Sequence, residues 1–178
     1  MRAIAAISML VAALLLAMSC ASTTAADTAV TFLKVSEIAE NPSVLPSEGL
    51  VNTGQPNAAV LDAAAEAGFS AVIDFRGPDE DRGLDEVAEV EKRGMRYIAI
   101  PVTGKGGVSF ENAAKLDDAL SDLKGPVLLH CKSGNRAAAI LALREKQNGA
   151  DNEAALAVGV DAGLTGLRGV VEARLAGD

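Results

Sequence analysis

The stretch that most limits the fold is Val127-Leu128-Leu129-His130-Cys131-Lys132-Ser133-Gly134-Asn135-Arg136. It is an apolar run with a β-branched first residue, then a glycine-containing turn, then an alanine-rich helical segment over 137–144. Strand, sharp turn and helix together form the building unit of α/β sheets. Such a turn aims backbone N–H groups and the positive end of the helix at one spot. Cys131 falls on that spot, where the thiolate that attacks phosphorus or sulfur is expected to be favoured. Arg136 closes the turn and can grip an oxyanion through two parallel hydrogen bonds. The expectation is a cysteine nucleophile in an anion cradle.

The rest of the chain repeats the alternation. Buried-type strands are predicted over 50–53, 69–75, 95–102 and 127–129. Helices are predicted over 58–67, 84–93, 110–123, 137–147, 152–162 and 167–175. Asn57 and Ser109 stand as helix N-caps, and Gly68 and Gly94 as stops. Residues 27–48, with Pro42 and Pro46, read as a lead-in without elements. This spacing predicts an α/β fold, a mostly parallel central sheet flanked by helices. Ligands on such sheets lie beyond the carboxyl ends of the strands. Asp74, Phe75, Arg76, Thr103 and Cys131 all fall there. The cysteine turn, the acidic loop 76–83 and the glycine-rich loop 103–108 are therefore expected to converge.

The first residues read as an export leader, outside the fold. Met1-Arg2 is positive, residues 4–18 are almost wholly apolar, and residues 19–26 are small and polar. Residues 1–26 are thus assigned as a signal peptide, and residues 27–178 as one domain. Cleavage before Cys20 would give a lipoprotein whose only membrane contact is a lipid on that cysteine. Cleavage near Ala21 or Ala26 would give a soluble chain. Either way the mature protein is periplasmic. The 178 residues carry a formal charge of −8, four phenylalanines and one tyrosine. So acidic and aromatic-poor a chain is unsuited to nucleic acid. A small anionic substrate or phosphorylated molecule remains compatible, because a local cradle outweighs a diffuse field at short range. One histidine and two cysteines are too few for a zinc site, so no metal or organic cofactor is expected.

In order and spacing, four segments resemble the phosphatase-like domain family of bacterial beta-lactamase hydrolase-like proteins, which looks like dual-specificity and tyrosine phosphatases. They are Thr53-Gly54-Gln55-Pro56, Val72-Ile73-Asp74-Phe75-Arg76, Ile98-Ala99-Ile100-Pro101-Val102 and the cysteine loop from Pro126 to Arg136. The resemblance implies that Cys131 is the nucleophile. The amides of Lys132, Ser133, Gly134, Asn135 and Arg136 would bind the oxyanion, and Arg136 would hold charge in the transition state. His130 would buttress the loop as a hydrogen-bonded core histidine. Lys132 would raise the local positive potential.

Two departures stand out. The loop places four residues between cysteine and arginine, where tyrosine phosphatases place five, and four is the spacing of rhodanese-type sulfurtransferases. The loop 103–107 also lacks the aspartic general acid of dual-specificity phosphatases. Asp79, Glu80 and Asp81 in the earlier loop are the substitutes, or else form a solvated acidic loop. Arg76 is either a second cation near the pocket or a surface residue paired with Asp79 or Asp81. Lys105 is either solvated or a substrate contact. Three functions follow in order: a phosphatase-like hydrolase working through a cysteinyl-phosphate, a sulfurtransferase working through a Cys131 persulfide, and a catalytically weak module binding oxyanions or a partner.

Overall fold

The computed structural model describes residues 35–177, so the expectations for the leader and for Cys20 lie outside the described residues. A five-stranded sheet is built in the order β1-β2-β5-β3-β4. At its centre β5 (Val127–His130) runs parallel to β2 (Leu50–Thr53) on one side and to β3 (Ala71–Asp74) on the other. β4 (Arg96–Ala99) adds in parallel outside β3. The register sets Thr53, His130 and Asp74 side by side at the carboxyl edge. Every residue of β2, β3 and β5 is buried, as parallel strands covered on both faces must be.

β1 (Ser43–Leu45) is antiparallel to β2 and lies in the stretch expected to hold no element. Three residues are too few for a legible alternation, and prolines flank them, which suits only an edge position. The other differences concern boundaries. The 95–102 strand ends at Ala99. The 84–93 helix narrows to α2 (Glu86–Glu91), capped by the Asp85 carboxylate on the Ala88 amide at 3.2 Å. Asn57 caps α1 (Ala58–Glu66) and Ser109 caps α3 (Phe110–Ser121), as expected.

Alternation across the strands divides the core. Leu50, Ile73 and Leu129 face α3, α4 (Asn135–Gln147), α5 (Asn152–Asp161) and α6 (Arg168–Ala176). Val51, Val72 and Leu128 face the α1 and α2 residues Val60, Leu61, Ala64 and Val90. The alanines of α4 have a packing reason. α5 crosses so closely that a methyl group at Gly159 would sit 2.8 Å from the Ala142 Cβ.

Buried Asn52 ties these layers to the cysteine turn. Its Nδ2 donates to the Gly134 carbonyl and to the Ala162 carbonyl, each at 2.8 Å. We predict that Asn52→Ala lowers the unfolding free energy by about 1–3 kcal/mol, because two carbonyls inside the protein lose their donor. Urea titration checks this, and an unchanged midpoint would show that water replaces the amide without cost.

Candidate active site

Cys131 follows the last residue of β5, and α4 begins four residues later. The reversal is made at Gly134, whose φ of 81° lies in the left-handed region open to glycine. The turn brings the N-terminal end of α4 back onto the cysteine. The Arg136 amide donates to Sγ at 3.4 Å. The Gln55 amide donates to the Lys132 carbonyl, and Gly54 bridges to Ser133, so the Thr53–Pro56 segment braces the loop. Lys132 and Ser133 are exposed. The Asn135 side chain turns away and accepts from the Thr165 amide at 2.8 Å.

Cys131 itself is only 1% exposed. Its side chain points to the α4 face and joins the cluster containing Leu129 and Ala137.

Arg136 does not stand alone at the mouth of the loop. Its Nη1 and Nη2 donate to the two carboxylate oxygens of Glu80, at 2.5 and 2.8 Å, and Nη1 also reaches the Val102 carbonyl at 3.3 Å. Glu80 further accepts from Arg76 Nε at 3.1 Å and from the Gly77 amide at 2.7 Å. These donors, Arg136 foremost, hold its carboxyl well below the usual carboxylate range against the opposing effect of burial. The expected convergence of the cysteine turn with loop 76–83 therefore holds through Glu80, while toward the glycine-rich loop Arg136 reaches only Val102, the residue that precedes it.

The individual residues of the acidic loop are redistributed. Asp79 is exposed, and exposed Asp81 turns its carboxylate back to the Gly83 amide at 2.8 Å. Neither is drawn onto Arg136; the residue between them is, because its longer side chain spans the gap between two guanidinium groups. Arg76 is no surface residue. It is buried, donates to the Asp81 carbonyl at 2.7 Å and to the Gln55 side-chain oxygen, and shares Glu80 with Arg136. Lys105 is exposed and lines a cleft with Gly169, Val170 and Arg174 of α6. Thr103 is exposed as well.

His130 and Asp74 lie on the other face of the sheet from Cys131. Asp74 does not join the cysteine site: its Oδ1 accepts from the Arg76 amide, and its Oδ2 from Arg82 Nε and the Tyr97 hydroxyl, each at 2.7 Å. Burial, and then the Asp74 carboxylate, push the Tyr97 hydroxyl above its ordinary range. Fully buried His130 places Nε2 3.0 Å from Glu86 Oε1 and 3.6 Å from Asp74 Oδ1. Asn52, Arg82 and Glu86 were not singled out from sequence. Isolated polar residues in loops and short strands carry no periodic signal, and only the fold shows that they are buried.

A profile of the family described as beta-lactamase hydrolase-like protein, phosphatase-like domain, matches residues 46–150. The chain belongs to that family. A beta-lactamase hydrolase-like protein of Xylella fastidiosa is 33% identical over 107 residues, which are 58% of this chain but 25% of that protein. Its counterpart in Agrobacterium fabrum is 30% identical over the same length. The matched part of the chain thus spans about a quarter of these relatives. Among solved structures, a candidate phosphatase of Shewanella putrefaciens superposes with a TM-score of 0.63 at 23% identity, covering 81% of this chain and 96% of its own. One from Neisseria meningitidis gives 0.59 at 19% identity, covering 68% and 90%. Kinase associated phosphatase, solved with serine in place of its catalytic-site cysteine, gives 0.56 at 13% identity, covering 72% and 88%. These likenesses show that the phosphatase-like family member described here has the tyrosine-phosphatase-like fold.

The Glu80 carboxyl has a lower pKa in the folded chain than in the unfolded one. The stability it contributes is therefore complete above the unfolded value, near 4.3 for a free glutamate, and is lost as the pH falls. We predict that the difference in unfolding free energy between the wild type and Glu80→Gln is constant above about pH 6. It should shrink steadily below about pH 4.5. Denaturation at a series of pH values checks this; a difference that grows in acid would contradict the pairing.

Proposed function

We propose that the chain is a cysteine-dependent phosphatase-like hydrolase acting on a small phosphorylated molecule. The observation that carries this reading is the approach of the Arg136 amide to Cys131 Sγ, with the guanidinium of the same residue at the loop mouth. Family membership and the fold support it. In the first step Sγ attacks phosphorus, the bond to the leaving oxygen breaks, and a cysteinyl-phosphate forms. Water then attacks phosphorus, releasing phosphate and the thiolate. Loop amides and Arg136 face the charge that grows on the non-bridging oxygens.

Arg136 is already held by a carboxylate, so an arriving phosphoryl dianion competes with Glu80 and carries up to twice its charge. A carboxylate kept ionised by two guanidinium groups is also a poor proton donor. The leaving group must then depart without strong acid assistance, and general acid catalysis is worth about 10²–10⁴ in rate. This favours substrates with acidic leaving groups, such as aryl phosphates. Export by the leader, with or without a lipid on Cys20, belongs to the same proposal and rests on Arg2, the apolar run and the small residues that follow.

The four-residue spacing between Cys131 and Arg136 favours a second reading. In it the thiolate attacks the outer sulfur of thiosulfate, the S–S bond breaks, and sulfite leaves. The persulfide sulfur then passes to a nucleophile such as cyanide, giving thiocyanate. We predict turnover of an aryl phosphate and none of thiosulfate with cyanide. Cys131→Ser should abolish it, and Arg136→Lys should lower kcat/KM by about 10²–10³. Thiocyanate formation without phosphate release would replace the first reading with the second. Activity that survives Cys131→Ser would remove both.

A further inference from the structure

Behind the cysteine loop, on the α2 face of the sheet, three potential ligands converge. Asp74, Glu86 and His130 each offer one donor atom, and these atoms lie within 4.8 Å of one another. Glu86 is 2% exposed, and Asp74 and His130 are 0%. Neither oxygen of Glu86 and neither ring nitrogen of His130 has a hydrogen-bond partner. A carboxylate buried without a donor is costly enough that its site normally holds a compensating charge or proton. Arg82 supplies only part of one: its Nη2 lies 2.6 Å from Asp74 Oδ2, but its Nε lies 3.5 Å from Glu86 Oε2. Two carboxylates face one guanidinium here.

The geometry distinguishes a cation from a shared proton. A proton between Glu86 and His130 requires an aligned N–H···O bond, yet the 3.0 Å approach makes none. An off-axis contact is what two ligands aimed at a third atom would make. Nitrogen and oxygen ligands about 2.1 Å from a tetrahedral zinc ion stand about 3.4 Å apart. The observed spacings of 3.0 Å from His130 Nε2 to Glu86 Oε1 and 3.6 Å to Asp74 Oδ1 bracket that value. The outer support of such a site is present too. The second oxygen of Asp74 is fixed by Arg82 and Tyr97, as ligating carboxylates usually are. A cleft of about 350 Å³, lined by Arg82, Glu86 and Tyr97 among others, reaches the cluster on its Glu86 side.

We propose that Asp74, Glu86 and His130 bind one divalent cation of the zinc class, with water completing the coordination. Counting only histidine and cysteine in the sequence excluded such a site; the fold supplies two carboxylates instead. The ion would face away from Cys131 and touch no substrate. It would act as a strut, pinning the start of α2 to the ends of β3 and β5 and so fixing the loop that carries Arg76 and Glu80.

Cobalt substitution tests this without relying on activity. The untagged chain, stripped with a chelator, is titrated with Co²⁺. Visible d–d bands saturating at one ion per chain are expected, to be displaced by Zn²⁺, together with a rise in the thermal unfolding midpoint on adding Zn²⁺. The bands should persist in Cys131→Ser, and Glu86→Gln should weaken binding at least tenfold. The proposal is overturned if the wild type shows neither bands nor a thermal shift. Bands that vanish in Cys131→Ser would overturn it by placing the ion on the thiol, as would undiminished affinity in a folded Glu86→Gln. Where Glu86→Gln does not fold, the wild type and Cys131→Ser decide it. Because this readout is independent of turnover, failure of the hydrolase reading leaves it standing.

Discussion

The chain reverses direction at Gly134, and the reversal joins the central strand to the longest helix of the α3–α6 layer. A left-handed residue there converts the end of β5 into the start of α4 within four residues. The positive φ alone would leave the turn free to open. Asn52, from the neighbouring strand, grips the Gly134 carbonyl and ties it to the end of α5 through Ala162. The position of Sγ under the first turn of α4 follows from this arrangement. So does the place of the Arg136 side chain at the rim, where loop 76–83 can meet it.

The carboxyl edge of the sheet separates two sets of chemistry by the simple alternation of side chains. Cys131 faces one layer and His130 the other, although they are neighbours in sequence. Asp74, aligned with His130 by the parallel register, follows it to the α2 side. Arg76 and Glu80 cross between the two. The Arg76 amide donates to Asp74 on one side, while its guanidinium meets Glu80, and through it Arg136, on the other. The loop after β3 is thus fastened to both faces at once.

Much of the fold was legible because its signals are periodic. The apolar runs marked β2, β3 and β5 as buried strands, and Asn57 and Ser109 marked helix starts through their side-chain chemistry. The cysteine turn was legible because a strand, a glycine and an alanine-rich helix occur in immediate succession. β1 was hidden because three residues between two prolines carry no period. The acidic loop stayed undivided for another reason. Asp79, Glu80 and Asp81 look equivalent in sequence, and only the direction of each side chain decides which one reaches a guanidinium. Glu86 gave no hint of burial, since a carboxylate at the first turn of a helix usually signals solvent and a favourable dipole.

The tight crossing of α4 by α5 has a reach beyond packing. Ala142 lies less than two turns from Arg136 on the same helix, and a helix passes displacement along its length almost as a rigid rod. The absence of a side chain at Gly159 therefore sets how deeply that rod is seated against the sheet, and with it the height of the guanidinium over the sulfur. A residue that contacts neither group acts as a spacer for both, so the alignment of the cysteine turn is distributed into a helix–helix seam on the far side of the layer.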